Sequence, residues 1–150
     1  MNISYRACEM GDRRVVADMI LALYQEDPSL KLITRKSIDE TFESFQEHPD
    51  RGTVMAIEHE NEIIGYAILA NFWSNEFGGN IVIIDELFVQ KKYRGKGVAT
   101  NFLKYLRDTK FGNSVALQLE VTPDNTRARK LYESLGFVAH KNIMLDLDLD

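Results

Sequence analysis

Residues 81–106 constrain this chain most. The apolar run IVIIDELFV passes directly into the basic, glycine-bearing turn QKKYRGKG, which in turn enters a stretch with helical periodicity. Ile81–Val89 is apolar apart from Asp85 and Glu86, the pattern of a central strand covered on both faces. Val98, Ala99, Phe102, Leu103 and Leu106 then fall on one helical stripe, which predicts a helix from about Gly97 that fades near Gly112. At such a junction the amides of residues 95–99 have no helical partners and converge on one point. Gly95 and Gly97 keep side chains away from that point. The helix dipole favours negative charge there, and Arg94 and Lys96 add two full charges. The junction is predicted to hold an anion, and a diphosphate fits its chemistry.

The remaining elements are read from periodicity and turn residues. Asp12 is a candidate cap for a helix over 12–26, where Val15, Val16, Met19, Ile20, Leu23 and Tyr24 recur at the helical interval until Pro28 stops it. A second helix is predicted from about Ser37 to Gln46, with Ile38, Phe42 and Phe45 on one stripe. Residues 53–59 and 63–72 predict two antiparallel strands joined around Glu60, Asn61 and Glu62. Val115–Val121 predicts another strand, and Ala128, Leu131, Tyr132 and Leu135 a helix closed by Gly136. Ile143, Leu145, Leu147 and Leu149 alternate with Asp146, Asp148 and Asp150, which predicts a final half-buried strand.

Composition excludes several classes. At 150 residues with 45% hydrophobic content, nine glycines and three prolines, the chain reads as one globular domain over residues 1–150, with no repeat or linker. No apolar stretch approaches the roughly 20 residues that span a bilayer. Nothing at the start resembles a signal peptide, and the single cysteine, Cys8, cannot form an internal disulfide, so a cytoplasmic setting is expected. The net charge of −5 conceals an island: residues 90–110 carry seven cations against Asp108 alone, a window of +6 that leaves the rest at −11. An acidic chain of this kind is not expected to bind nucleic acid. The island is either an ordinary solvated face or the seat of a local anionic ligand.

Three phosphate-binding patterns compete for that island. GxxxxGK followed by Ser or Thr occurs nowhere in the chain. A dinucleotide GxGxxG is broken by Thr100 and stands too far from the first strand. Arg94, Gly97 and Ala99 instead satisfy [Gln/Arg]xxGx[Gly/Ala]. The surrounding LFVQKKYRGKGVA resembles the coenzyme A loop of the GCN5-related N-acetyltransferases. Downstream, Asn125, Ala128, Leu131, Tyr132, Leu135, Gly136 and Phe137 resemble the same family's NxxAxxLYxxxGF segment, so the likeness covers roughly residues 81–140. It implies an α/β (α+β) fold: a mixed, mostly antiparallel sheet of six to seven strands flanked by about four helices. It implies acetyl-CoA as co-substrate, no metal, and transfer of acetyl to a primary amine.

The chemistry sets tasks for particular residues. An amine of pKa about 10.4 has only about one molecule in 2,500 unprotonated at pH 7, a deficit of about 4.6 kcal/mol. A carboxylate that takes the ammonium proton offsets it, and Asp85 and Glu86 are the candidates. Strand alternation predicts that only one of them faces the cleft. In the family's polyamine acetyltransferases an acidic pair occupies the matching place, which does not select its active member; Glu86 is preferred and Asp85 is the alternative. The resemblance puts a proton donor for the departing thiolate at Tyr132. Amides of Leu87, Phe88 and Val89 would meet the developing oxyanion. Arg94, Gly95, Lys96, Gly97, Val98 and Ala99 would hold the diphosphate, and Asn125 and Arg129 would contact the pantetheine or phosphates.

The stretch SNEFGGNIVIIDELFVQKKYRGKG looks most like small-molecule acetyltransferases acting on diamines or polyamines. Rival acceptors are a protein lysine or N-terminus, an aminoglycoside, and an amino acid or its derivative. A non-catalytic acyl-CoA-binding regulatory module is the competitor outside enzymes. Oligomeric state is open, with a homodimer the commonest assembly in general. Cys8 reads as a packed hydrophobe, and His48, His59 and His140 lack metal-ligand spacing. Phe72 and Trp73 read as anchors or as part of an acceptor pocket. Glu26 and Asp27 read as an exposed helix end or as a hold for a cationic substrate.

Overall fold

The computed structural model describes residues 1–150 in two parts, Met1–Glu120 and Val121–Asp150. The first part opens with β1 (Ile3–Ala7), α1 (Arg13–Glu26) and α2 (Arg35–Glu47). Asp12 precedes α1 without capping it. Its carboxylate is turned to the Arg6 guanidinium at 2.6 and 3.0 Å and to the Glu9 amide at 2.7 Å. α2 is properly capped, because Thr34 accepts from the Ser37 amide and the Ser37 hydroxyl in turn meets the Thr34 amide.

β2 (Gly52–His59) and β3 (Glu62–Ser74) form the expected antiparallel pair. They are joined by Glu60 and Asn61 at φ of +51° and +64°, the twist a two-residue hairpin needs. β4 (Gly79–Val89), α3 (Val98–Asp108) and β5 (Ala116–Leu119) complete this part. The sheet runs β1-β2-β3-β4-β5, antiparallel except for the β4–β5 pair.

Val16, Met19 and Ile20 of α1 and Ile38 and Phe42 of α2 pack over Val54, Tyr66, Ile68 and Phe88 on one sheet face. Val98, Phe102, Leu103 and Leu106 of α3 are also buried, and the Phe102 ring meets that of Tyr5 edge-on at 5.2 Å. Each such fully buried side chain contributes about 1.5–3 kcal/mol.

The second part holds α4 (Thr126–Ser134). Asn125 caps its start by accepting from the Ala128 amide at 3.1 Å. Gly136, at φ +104°, closes its end as expected, with the Gly136 and Phe137 amides donating to the carbonyls of Glu133 and Tyr132.

Two expectations require correction. The sheet has five strands, not six to seven. The final strand predicted over residues 143–149 is absent: residues 138–150 enter no ladder, and Ile143, Leu145, Leu147 and Leu149 are 85–88% exposed. Alternation gives a segment one apolar face, but a strand forms only where a neighbour takes its backbone hydrogen bonds, and no strand pairs with this one. No helix is long and apolar enough to cross a membrane.

Candidate active site

β4 changes character halfway along. Ile81–Ile84 pair with β3 on one side and with Ala116–Leu119 of β5 on the other. Beyond Ile84 the parallel pairing stops, while β4 continues to Val89 beside β3 alone. The Gln90 amide donates to the Ile64 carbonyl at 2.8 Å. Counting back along an antiparallel ladder, Phe88 and Glu86 also bond toward β3, and the amides of Leu87 and Val89 point to the side with no strand.

A bulge sits at this transition. Ile68 pairs with Glu86 and Leu69 pairs with Ile84, which leaves Asp85 as the extra residue. Simple alternation would send Asp85 and Glu86 to opposite faces. The bulge suspends alternation for one step, and both carboxylates line the same cavity of about 430 Å³. The expectation that only one of them faces the cleft is therefore overturned.

The cavity belongs wholly to the first part of the chain. α1 and α2 give it Tyr24, Ser37, Glu40 and Thr41, β3 gives it Ile68 and Ala70, and β4 gives it the acidic pair. No lysine, arginine or histidine lines it. Phe72 and Trp73 lie outside the lining of this cavity and are 54% and 73% exposed, so neither is a core anchor.

Within the cavity wall, Glu86 accepts two short hydrogen bonds, from the Tyr24 hydroxyl at 2.6 Å and from the Tyr66 hydroxyl at 2.8 Å. Burial pushes its carboxyl above the ordinary carboxylate range; the two hydroxyls oppose that shift, and the charge of Asp85 adds to it. Burial also raises Asp85, whose side chain accepts no hydrogen bond from the protein. Burial and the neighbouring carboxylate push both tyrosine hydroxyls well above their usual value.

Sequence reasoning assigned neither tyrosine a role. A hydroxyl on the apolar stripe of α1, at Tyr24, was the available signal, since a tyrosine in that position must find a partner.

The loop after β4 has the predicted form. Gly95 and Gly97 take φ of +74° and +80°, which side-chain-bearing residues rarely adopt. Gly97 is the cap and α3 starts at Val98, one residue later than expected. The first intrahelical bond runs from the Asn101 amide to the Gly97 carbonyl, so the amides of residues 95–100 are unspent. A Cβ at Gly95 would meet nothing within 4 Å, and at Gly97 only the side-chain Nδ2 of Asn101 at 3.8 Å. Neither glycine is imposed by crowding within the protein, and the space over the backbone is open to a ligand. Open amides on β4, an uncrowded loop and a helix start together fit a coenzyme A diphosphate and its extended arm.

Arg94 has a more structural part than expected. Its Nε donates to the Val89 carbonyl at 2.7 Å, its Nη2 pairs with Glu26 at 3.0 Å, and its guanidinium lies 5.2 Å from the centre of the Phe88 ring. Only part of its fan of donors is left for an anion. Glu26 is thus tied to the loop and is not a free hold for substrate. Lys92 and Lys96 carry their ammonium groups 5.1 and 5.8 Å from the Tyr93 ring centre.

In the second part, Tyr132 lies on α4 with its ring edge-on to Phe137 at 6.0 Å, and burial raises its hydroxyl. Asn125 spends its side-chain oxygen on the helix cap, and Arg129 pairs with Glu133 at 3.0 Å on an exposed face. Burial pushes the Cys8 thiol up to about 12, which leaves it a packed side chain and not a nucleophile.

Comparison with known proteins agrees with this arrangement. The fold matches a possible acetyltransferase from Clostridium difficile 630 at TM-score 0.85 and 22% identity, over 100% of this chain and 99% of that one. Ribosomal-protein-alanine N-acetyltransferase from Brucella melitensis biovar Abortus 2308 gives 0.75 and 19%, over 98% and 100%. Glucosamine-6-phosphate N-acetyltransferase from Arabidopsis thaliana gives 0.70 and 21%, over 100% of both chains. A search of curated proteins gave no match. At these identities the structural likeness speaks for the fold alone, whereas the profile of the acetyltransferase (GNAT) family matches residues 17–137, most of the sequence. By that match the chain belongs to the GNAT acetyltransferase family.

Proposed function

We propose that this protein transfers acetyl from acetyl-CoA to a primary amine by direct attack, and that the acceptor is a small cationic molecule of the diamine or polyamine type. The observation that carries the reading is the bulge at Asp85. It gathers Asp85 and Glu86 into a cavity without a single cationic side chain, next to the open amides of β4.

The co-substrate brings a thioester-activated acetyl group, and the protein's residues supply the rest. The acidic wall attracts the ammonium form of the acceptor and orients its nitrogen. Glu86 takes the ammonium proton, and its raised affinity for protons brings it nearer to the task than an ordinary carboxylate. Asp85 strengthens that affinity through its charge. Amides of Leu87 and Val89, with Phe88 between them, receive the negative charge that develops on the carbonyl oxygen. The amides of residues 95–99, with Lys96 and the remaining donors of Arg94, hold the diphosphate. The family resemblance assigns the proton returned to the departing sulfur to Tyr132, and contacts with the coenzyme to Asn125 and Arg129.

An acceptor that bears a phosphate, such as the sugar in the Arabidopsis protein's name, would face Glu40, Asp85 and Glu86 with no cation to meet it. That disfavours such a substrate here. Free Cys8 fits a reducing, cytoplasmic setting.

The test is release of free thiol from acetyl-CoA across putrescine, spermidine, kanamycin, a lysyl peptide and glucosamine 6-phosphate. Turnover highest with the two polyamines supports the reading. Tight coenzyme binding with no turnover on any amine would establish the non-catalytic module instead.

A further inference from the structure

We propose that Tyr24 is a catalytic residue, a hydroxyl relay through which the proton of the bound ammonium reaches Glu86. The inference rests on the amine-acetylating reading above and names the residue that performs its first step.

Glu86 has two tyrosine donors that differ in access. Tyr66 is wholly buried, 0% exposed, and absent from the cavity lining, so its 2.8 Å bond to Oε1 anchors the carboxylate from within. Tyr24 reaches Oε2 at 2.6 Å from the last turns of α1, and its side chain forms part of the cavity wall. At 2.6 Å the Tyr24 bond is a charge-assisted O–H···O⁻ contact, along which a proton has a short path. A hydroxyl also carries lone pairs, so Tyr24 can accept from a cation in the cavity while it donates to Glu86.

The step balances as a double transfer. An N–H bond of the ammonium breaks and a new O–H bond forms on Tyr24. Simultaneously the original Tyr24 O–H bond breaks and an O–H bond forms on Glu86 Oε2. The products are a neutral amine, a neutral carboxylic acid and an unchanged phenol. No phenolate is formed, which suits a hydroxyl whose ionisation is opposed by burial and by the charges of Glu86 and Asp85. Once the amine is neutral, its lone pair is available to the thioester.

The test compares Tyr24→Phe with Tyr66→Phe, using spermidine and putrescine as acceptors. Both variants remove one hydrogen bond that favours ionised Glu86, so both move the acid limb of the kcat profile to higher pH. Only the relay is lost with Tyr24. Its variant should drop the high-pH plateau about a hundredfold, with calorimetric affinity for coenzyme A unchanged, whereas the Tyr66 variant, which loses an anchor of the carboxylate and not the relay, should drop its plateau by a much smaller factor. A second readout needs no turnover. Adding spermidine to the protein without acetyl-CoA should perturb near-ultraviolet tyrosine absorbance in the wild type and in Tyr66→Phe, and not in Tyr24→Phe. A Tyr24→Phe plateau equal to the wild type, or an equal drop in both variants, overturns the relay and leaves the amine-acetylating reading intact. No turnover by the wild type with any amine overturns both.

Discussion

Ile81–Ile84 and Asp85–Val89 belong to the same strand and differ in what lies beside them. The first half is clamped between β3 and β5, with Ile81, Val82 and Ile84 buried. The second half keeps β3 alone, carries the bulge, sets Asp85 and Glu86 in the wall of the cavity beside α1 and α2, and leaves the amides of Leu87 and Val89 without a strand partner. A fully paired strand has no backbone donors to offer a substrate, and an unpaired one forgoes the stability of a second ladder. β4 separates these roles along its length: its first half anchors the sheet so that its second half can leave donors unsatisfied at a fixed position.

Substitutions on either side of the bulge should therefore fail in different ways. The largest effect is expected from Glu86→Gln in the second half. Loss of a general base lowers plateau kcat by roughly 10²–10⁴. It should also abolish the acid limb, along which wild-type kcat falls as pH drops through a Glu86 value lying above the ordinary carboxylate range. A retained limb at the same pH would assign it to another group. In the first half, Ile81→Ala removes a side chain only 1% exposed. It should cost about 3 kcal/mol, a fall in Tm of roughly 10 °C, while the folded fraction keeps wild-type kcat. Thermal melts and titrated active-site counts would separate the two halves. A selective loss of kcat in Ile81→Ala would erase the distinction between them.

The loop that follows the open half extends the comparison. Gly97→Glu adds bulk and negative charge over amides that hold nothing of the protein's own, and should weaken coenzyme A by about a hundredfold or more. Gly97→Ala separates backbone strain from occupancy, because it meets the same φ of +80° with a small uncharged side chain. Calorimetry in which both variants lose affinity equally would locate the effect in helix geometry and not in the anion site.

How much of this was legible in the sequence follows from the range of each signal. The β4–loop–α3 junction could be read because an apolar run, glycines and a 3.6-residue period are all local. So could the hairpin at Glu60 and Asn61 and the glycine closure of α4. The bulge could not, since one extra residue in one strand leaves composition and periodicity unchanged and shifts only the register with β3. The partners of Glu86 lie at Tyr24 and Tyr66, distant in sequence, and each resembles a core tyrosine when read alone. Residues 143–149 failed for the opposite reason: their local pattern suits a strand, and pattern carries no information on whether a neighbour is present.

The smallest expected effect lies within the bulge itself and runs in the stabilising direction. Asp85 is partly desolvated and accepts no hydrogen bond from the protein, so folding raises its affinity for a proton above the ordinary aspartate value of 3.8. A carboxyl raised in the folded state costs nothing while it is protonated in both states. Its penalty appears as pH climbs through the folded value and persists at neutral pH. Asp85→Asn should therefore add a few tenths of a kcal/mol at pH 7, a figure kept small because the side chain opens to solvent. That gain should fade as pH falls toward 4, as urea melts at the two pH values would show. Glu86 should at the same time lose the raising influence of its neighbour, which moves the acid limb of kcat to lower pH. Stability rising while the limb descends is the signature of a charge retained for chemistry at the expense of folding; a limb that stays in place would separate Asp85 from the base it adjoins.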